Sequence, residues 1–133
     1  MKQVACPVAL HPDGTPRRLA MYEGAQGLMR LVTGPITAGG HPEASAAREL
    51  FDQAGLETQA TMMLGTKDMG PGAGNWHFVL CRIKPPVRMR WQQADRVAQS
   101  QLRRFGWVDL DAMDEGAVGE DDLRALQWIR DAL

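Results

Sequence analysis

The sequence predicts one mixed α/β domain spanning residues 1–133. Three observations predict it. A strand-like run rich in Val and Ala lies near the start of the chain, and one rich in β-branched and aromatic residues at 76–84. Two stretches, between Pro42 and Gly55 and at 120–133, carry apolar residues at helical spacing. A length of 133 residues suits a single core.

The elements follow in chain order. Gln3 to Leu10 reads as a first strand, and His11-Pro12-Asp13-Gly14 as a turn. Residues 17–22 read as the hairpin partner, and 28–32 as a short strand. Pro42 suits the first turn of a helix and Gly55 its C-terminal stop. Within that helix Glu49, Asp52 and Gln53 share one face, being three and four residues apart. Ala47, Leu50, Phe51 and Ala54 are expected on the opposite, core-facing side. Residues 57–67 read as a strand. Trp76 to Lys84 (WHFVLCRIK) is the most strand-like run, with Trp76 and Phe78 on one face and His77 on the other. The glycines of 69–74 join these two strands as a turn. A phosphate-cradling loop should instead open a helix and be followed by Lys-Ser/Thr. Pro85-Pro86 stops the strand, and 88–91 reads as an edge strand. Residues 92–104 fit a loop, a short helix or an edge strand. Residues 120–133 read as a final helix, with Glu120, Asp121 and Asp122 favouring its N-terminal end and Leu123, Leu126, Ile129 or Arg130, and Leu133 repeating at helical spacing as an apolar stripe.

Composition excludes several classes. A 44% hydrophobic and 23% charged content is ordinary for a soluble globular domain. A formal net charge of −1 gives no basic footprint for nucleic acid. No apolar run is long enough to span a membrane, so no membrane partner is expected. The opening MKQVACPVAL is too short for a signal peptide, and a cytoplasmic location is expected. Cys6 and Cys81 have no metal-ligand spacing and indicate no disulfide framework.

Residues 31–56, LVTGPITAGGHPEASAARELFDQAGL, resemble a degenerate Nudix box, G-x5-E-x7-R-E-U-x-E-E-x-G-U with U bulky and apolar. Without a gap, Gly34 takes the first position of the box at 34–56. Arg48, Glu49 and Leu50 fall on R-E-U, and Gly55 and Leu56 on G-U. Gly40 stands at the first glutamate position, and Asp52 and Gln53 replace the paired glutamates. Residues 105–110 resemble the family's late W-V-x-L segment. The resemblance implies a Nudix-like α/β/α sandwich with a mixed β-sheet.

It also implies a hydrolase of a nucleoside diphosphate linked to another moiety, dependent on Mg²⁺ or Mn²⁺. Hard divalent cations take oxygen ligands and neutralise developing phosphoryl charge. Glu49, Asp52 and Gln53 are the candidate metal donors, with the backbone of Gly39 shaping the loop. Glu49 is the candidate catalytic carboxylate, and Arg48 the residue that holds the acidic cluster. With Gly40 and Gln53 in place of glutamates, the metal is expected to bind weakly, or not at all without substrate, and activity to be weak or atypical. The alternative is a catalytically inactive domain binding a nucleotide or protein partner in the same cleft.

The catalytic base in this family often comes from a late loop, for which Asp95 and Glu115 are candidates. His77 reads as a hydrogen-bonded sheet residue, or as a base if its face lines the cleft. Trp91 and Trp107 suit nucleobase stacking or the core. Met62, Met63 and the tryptophans could serve a homodimer interface.

Overall fold

The computed structural model describes residues 1–99 and 102–133. All its strands join one sheet. They are β1 (Gln3–Leu10), β2 (Arg18–Glu23), β3 (Met29–Arg30), β4 (Gly34–Pro35), β5 (Thr58–Asp68), β6 (Asn75–Ile83), β7 (Arg90–Gln93) and β8 (Arg103–Asp109). Helices α1 (Pro42–Ala54) and α2 (Glu120–Ala132) cover its two faces. The main path runs β5-β6-β1-β2-β8-β7, with β3 on β2 and β4 on β1. β1 and β6 run parallel, from Gln3 opposite Asn75 to Leu10 opposite Arg82. The other strand pairs are antiparallel. This is the α/β/α sandwich with a mixed sheet that the family resemblance implies.

The sheet is split at its centre. β1 and β2 share a single register pair, Leu10 with Leu19. At the other end β1 pairs instead with β4, through Ala5 opposite Gly34, and β2 with β3. Leu31 and Val32 cross that split. Leu31 packs into the α2-side core and Val32 into the α1-side core. Residues 28–32 are therefore not one strand, because the chain leaves β2 after Arg30 to reach β1. The expected edge strand at 88–91 is shifted to Arg90–Gln93, where pairing with β8 begins.

Alternation along β1 sends Val4, Cys6 and Val8 toward α2, and Ala5 and Ala9 toward α1. The α2 side is large and apolar: Leu19, Met21, Phe78, Leu126 and Ile129 are fully buried, and Trp128 stacks on Phe78 at 4.5 Å. The α1 side meets the sheet with small residues, Ala46 and Ala54 over Ala5, Ala9 and Ala20. Small residues at a contact let a helix backbone lie close to what it packs on. Gly55 ends α1 in the left-handed region, at φ 72°, its N–H bonded to the Phe51 carbonyl.

Two expectations about helix faces are corrected. In α1, Phe51 is exposed and Gln53 is buried, so the core stripe runs through Ala46, Leu50, Gln53 and Ala54. The helix is rolled so that its polar edge tucks against the segment before β4. In α2, Leu133 is exposed and Asp122 is buried. The Asp122 carboxylate accepts the Leu31 N–H at 2.9 Å and lies 3.5 Å from Arg30, tying α2 to the crossing segment. Burial raises the Asp122 pKa, against the lowering effect of those partners. Among the described residues no helix is long and apolar enough to cross a membrane.

Candidate active site

The box helix delivers Glu49 to the split in the sheet. Its side chain lies against Gly34 of β4. A Cβ on Gly34 would clash with the Glu49 carboxyl group, so a larger residue there would push the Glu49 side chain out of this position. The Glu49 Oε2 accepts a hydrogen bond from the Gln53 amide at 2.8 Å. The same Gln53 nitrogen donates to the Thr33 carbonyl at 2.8 Å. The Gln53 oxygen accepts from Arg103 Nη1 of β8 at 3.0 Å. Two acceptors on one side and a donor on the other fix the orientation of this amide. Arg103 lies over the Tyr22 ring at 4.6 Å, a cation–π contact. Glu49, Gln53, Thr33, Arg103 and Tyr22 thus form one cluster drawn from α1, β2, β8 and the segment before β4.

The other box residues are placed less centrally. Arg48 is half-exposed and 3.7 Å from the second Glu49 oxygen. Asp52 stands one turn beyond Glu49, half-buried, its carboxylate without a partner among the described residues. Gly39, at φ 77°, occupies an exposed turn closed by the Gly40 N–H on the Thr37 carbonyl at 2.8 Å. No hydrogen bond joins that turn to Glu49 among the described residues. A Cβ on Gly40 would meet the Thr37 side-chain and backbone oxygens at 2.8 and 2.9 Å, so the turn as built excludes a glutamate there. Glu43 is turned toward β5, where its carboxylate accepts from the Thr61 hydroxyl at 3.2 Å.

The donor set decides what cation fits. Among the described residues no three His, Cys, Asp or Glu side chains converge. Gly40 offers no side chain, and the Gln53 oxygen is taken by Arg103. These residues do not fit a resident metal cluster. Glu49 and Asp52 are the carboxylates that α1 offers on this side, one turn apart.

Of the two candidate bases, Asp95 shares the α1 side. Its loop is fastened to the helix by the Arg96 N–H on the Asp52 carbonyl at 2.9 Å and by Arg96 over the Phe51 ring at 4.6 Å. Asp95 accepts the N–H groups of Val97 and Ala98. Glu115 lies on the segment leading into α2, on the opposite layer. Part of the ambiguous stretch 92–104, Ser100 and Gln101, lies outside the described residues.

His77 bonds Gln3 at 2.6 Å and Thr66 at 3.2 Å, which occupies both ring nitrogens within the sheet. Trp91 donates to the Ala54 carbonyl and stacks on Phe105, and Trp107 donates to the Arg88 carbonyl. Both indoles are half-buried and tie β7 and β8 together, and Trp91 also lines surface pockets beside β7. Cys6 and Cys81 are buried, and burial pushes the Cys81 thiol up to about 11.

Sequence reasoning missed Arg103, Tyr22 and the Thr33 carbonyl. One signal was available for Arg103. It alternates with Phe105 and Trp107, which places it on the same face of β8 as two aromatics.

No family model matches the sequence, and no curated protein does. Solved structures do match in shape. A MutT structure, from a comparison of the Aliivibrio salmonicida and Vibrio cholerae proteins, superposes with a TM-score of 0.68 at 13% identity. It covers 96% of this chain and 94% of that one. The Nudix hydrolase RenU from M. smegmatis gives 0.66 at 18% identity, over 98% of this chain and 84% of that one. The chain has the Nudix fold.

Proposed function

We propose that the chain is a Nudix-type hydrolase acting on a nucleoside diphosphate linked to another small moiety. The observation that carries this reading is the placement of Glu49. The fold brings a box-helix carboxylate to the split in the sheet, fixes it against Gly34, and leaves Asp52 free of partners one turn away among the described residues.

A divalent cation held by Glu49 and Asp52 would neutralise phosphoryl charge and acidify the attacking water. The chain's own residues do the rest. Gln53 holds Glu49 in one orientation with a donated N–H. The Asp95 loop, fastened over the end of α1, supplies the candidate proton acceptor. Two buried, unpaired thiols suit a reducing compartment, consistent with the cytoplasm.

A second reading is a nucleotide-binding domain without turnover. It is favoured by the Gln53 oxygen being held by a guanidinium where the family pattern has a glutamate.

The test is turnover of nucleoside diphosphate sugars, dinucleoside polyphosphates and nucleoside triphosphates with Mg²⁺ or Mn²⁺, for wild type and Glu49→Gln. Metal-dependent turnover that Glu49→Gln abolishes supports the hydrolase. Turnover equal in both proteins removes Glu49 from the mechanism and sinks the assignment. Binding without turnover selects the second reading.

A further inference from the structure

The Gln53 amide does more than replace a lost carboxylate. It stands between the Glu49 carboxylate and the Arg103 guanidinium, with its N–H toward one and its oxygen toward the other. Those two charges form no ion pair, although one side chain links them. A guanidinium has five N–H donors in a rigid fork. Arg103 gives one of them to Gln53. Beyond that bond and the Tyr22 ring beneath it, the Arg103 guanidinium makes no hydrogen bond or ion pair among the described residues.

A half-buried cation with most of its donors unused matches a planar or tetrahedral oxyanion. Guanidinium groups bind phosphate bidentately, and a cation–π contact holds the plane in place without consuming donors.

We propose that Arg103 binds a phosphate group of the ligand directly, and that Gln53 keeps its fork open by holding it apart from Glu49. This rests on the cleft reading above. It gives the position-53 glutamine a function: a glutamate there would close an ion pair with Arg103 and occupy the fork. One positive charge on the ligand's phosphates then comes from the protein itself, so part of the affinity does not need a cation.

The experiment is calorimetry with α,β-methylene-ADP in EDTA and again in Mg²⁺, for wild type, Arg103→Lys and Arg103→Met, with adenosine as a phosphate-free control. Wild type is expected to bind the analogue in EDTA. Arg103→Lys, which keeps the charge but loses the fork, should bind it about tenfold more weakly. Arg103→Met should bind it more weakly still, and adenosine affinity should not change. The Arg103 Nε–H resonance of the wild type should shift on titration with the analogue, a readout that does not require any variant to fold. Analogue binding that appears only with Mg²⁺, an Arg103→Lys affinity equal to wild type, or an unmoved Nε–H resonance would each overturn the Arg103 proposal while leaving the cleft reading standing. A wild type that binds no analogue in either condition would overturn both.

Discussion

The two faces of the sheet solve different problems. The α2 face is packed with large apolar side chains, among them Leu19, Met21, Phe78, Leu126 and Ile129, and its buried carboxylate, Asp122, serves to dock the helix. The α1 face is lined by alanines and carries a polar cluster of Glu49, Gln53 and Arg103. The large face buries most of the bulky apolar volume, and burial of such side chains is the main favourable term in folding. The small face lets the box helix lie close enough to the sheet for Glu49 to meet Gly34. Bulky apolar packing and the polar box-helix cluster thus lie largely on opposite layers.

That division can be broken deliberately, beginning with the largest effect. Phe78→Ala removes an aromatic ring stacked under Trp128 and should cost about 3–5 kcal/mol in denaturant unfolding. Ligand affinity should be unchanged under conditions where the variant remains folded. A similar loss of affinity would show that the layers are coupled.

On the other face, Ala46→Leu inserts bulk where α1 meets the sheet. It should cost about 1–3 kcal/mol in the same measurement. Unlike Phe78→Ala, it should also weaken analogue binding, because lifting α1 moves Glu49 away from Gly34.

Gln53→Glu sharpens the comparison within the cluster. The variant loses an N–H donor to Thr33 and sets a carboxylate beside Glu49, offset only in part by an ion pair with Arg103. It should be destabilised by about 1–3 kcal/mol. Added Mg²⁺ should recover part of that loss in a thermal melt, since two adjacent carboxylates accept a hard cation. Wild type should show a smaller response.

The smallest effect concerns His11, at the end of β1 and edge-on to Trp107. Burial, with help from Arg18, lowers its pKa from the ordinary 6.5. The folded protein therefore favours the neutral ring. The stability this contributes is present above pH 6.5 and is lost as pH falls through the lowered folded value. Urea midpoints at pH 7.5 and pH 5 should fall further for wild type than for His11→Gln.

How much of this was legible in the sequence depends on the range of the interactions involved. Pro42 and Gly55 act locally, and α1 has the bounds they imply. The β-branched and aromatic run around Phe78 is likewise a buried strand. The roll of α1 about its axis was not legible. It depends on Gln53 finding Thr33 twenty residues earlier and Arg103 fifty residues later. Helical periodicity treats an amide as polar and turns it outward, whereas three satisfied hydrogen bonds make its burial favourable. The same limit hid the turn at Gly40. The box alignment marks that glycine as a missing ligand, but the fold uses it to close the approach to Thr37.

The most direct test of the division between layers is a backbone and side-chain NMR titration with α,β-methylene-ADP. The shifts should concentrate at Gly34, Glu49, Gln53 and the Arg103 side chain, and leave Asp122, Leu126 and Ile129 in place. Shifts centred on α2, or none near Glu49, would contradict the assignment of ligand binding to the α1 face.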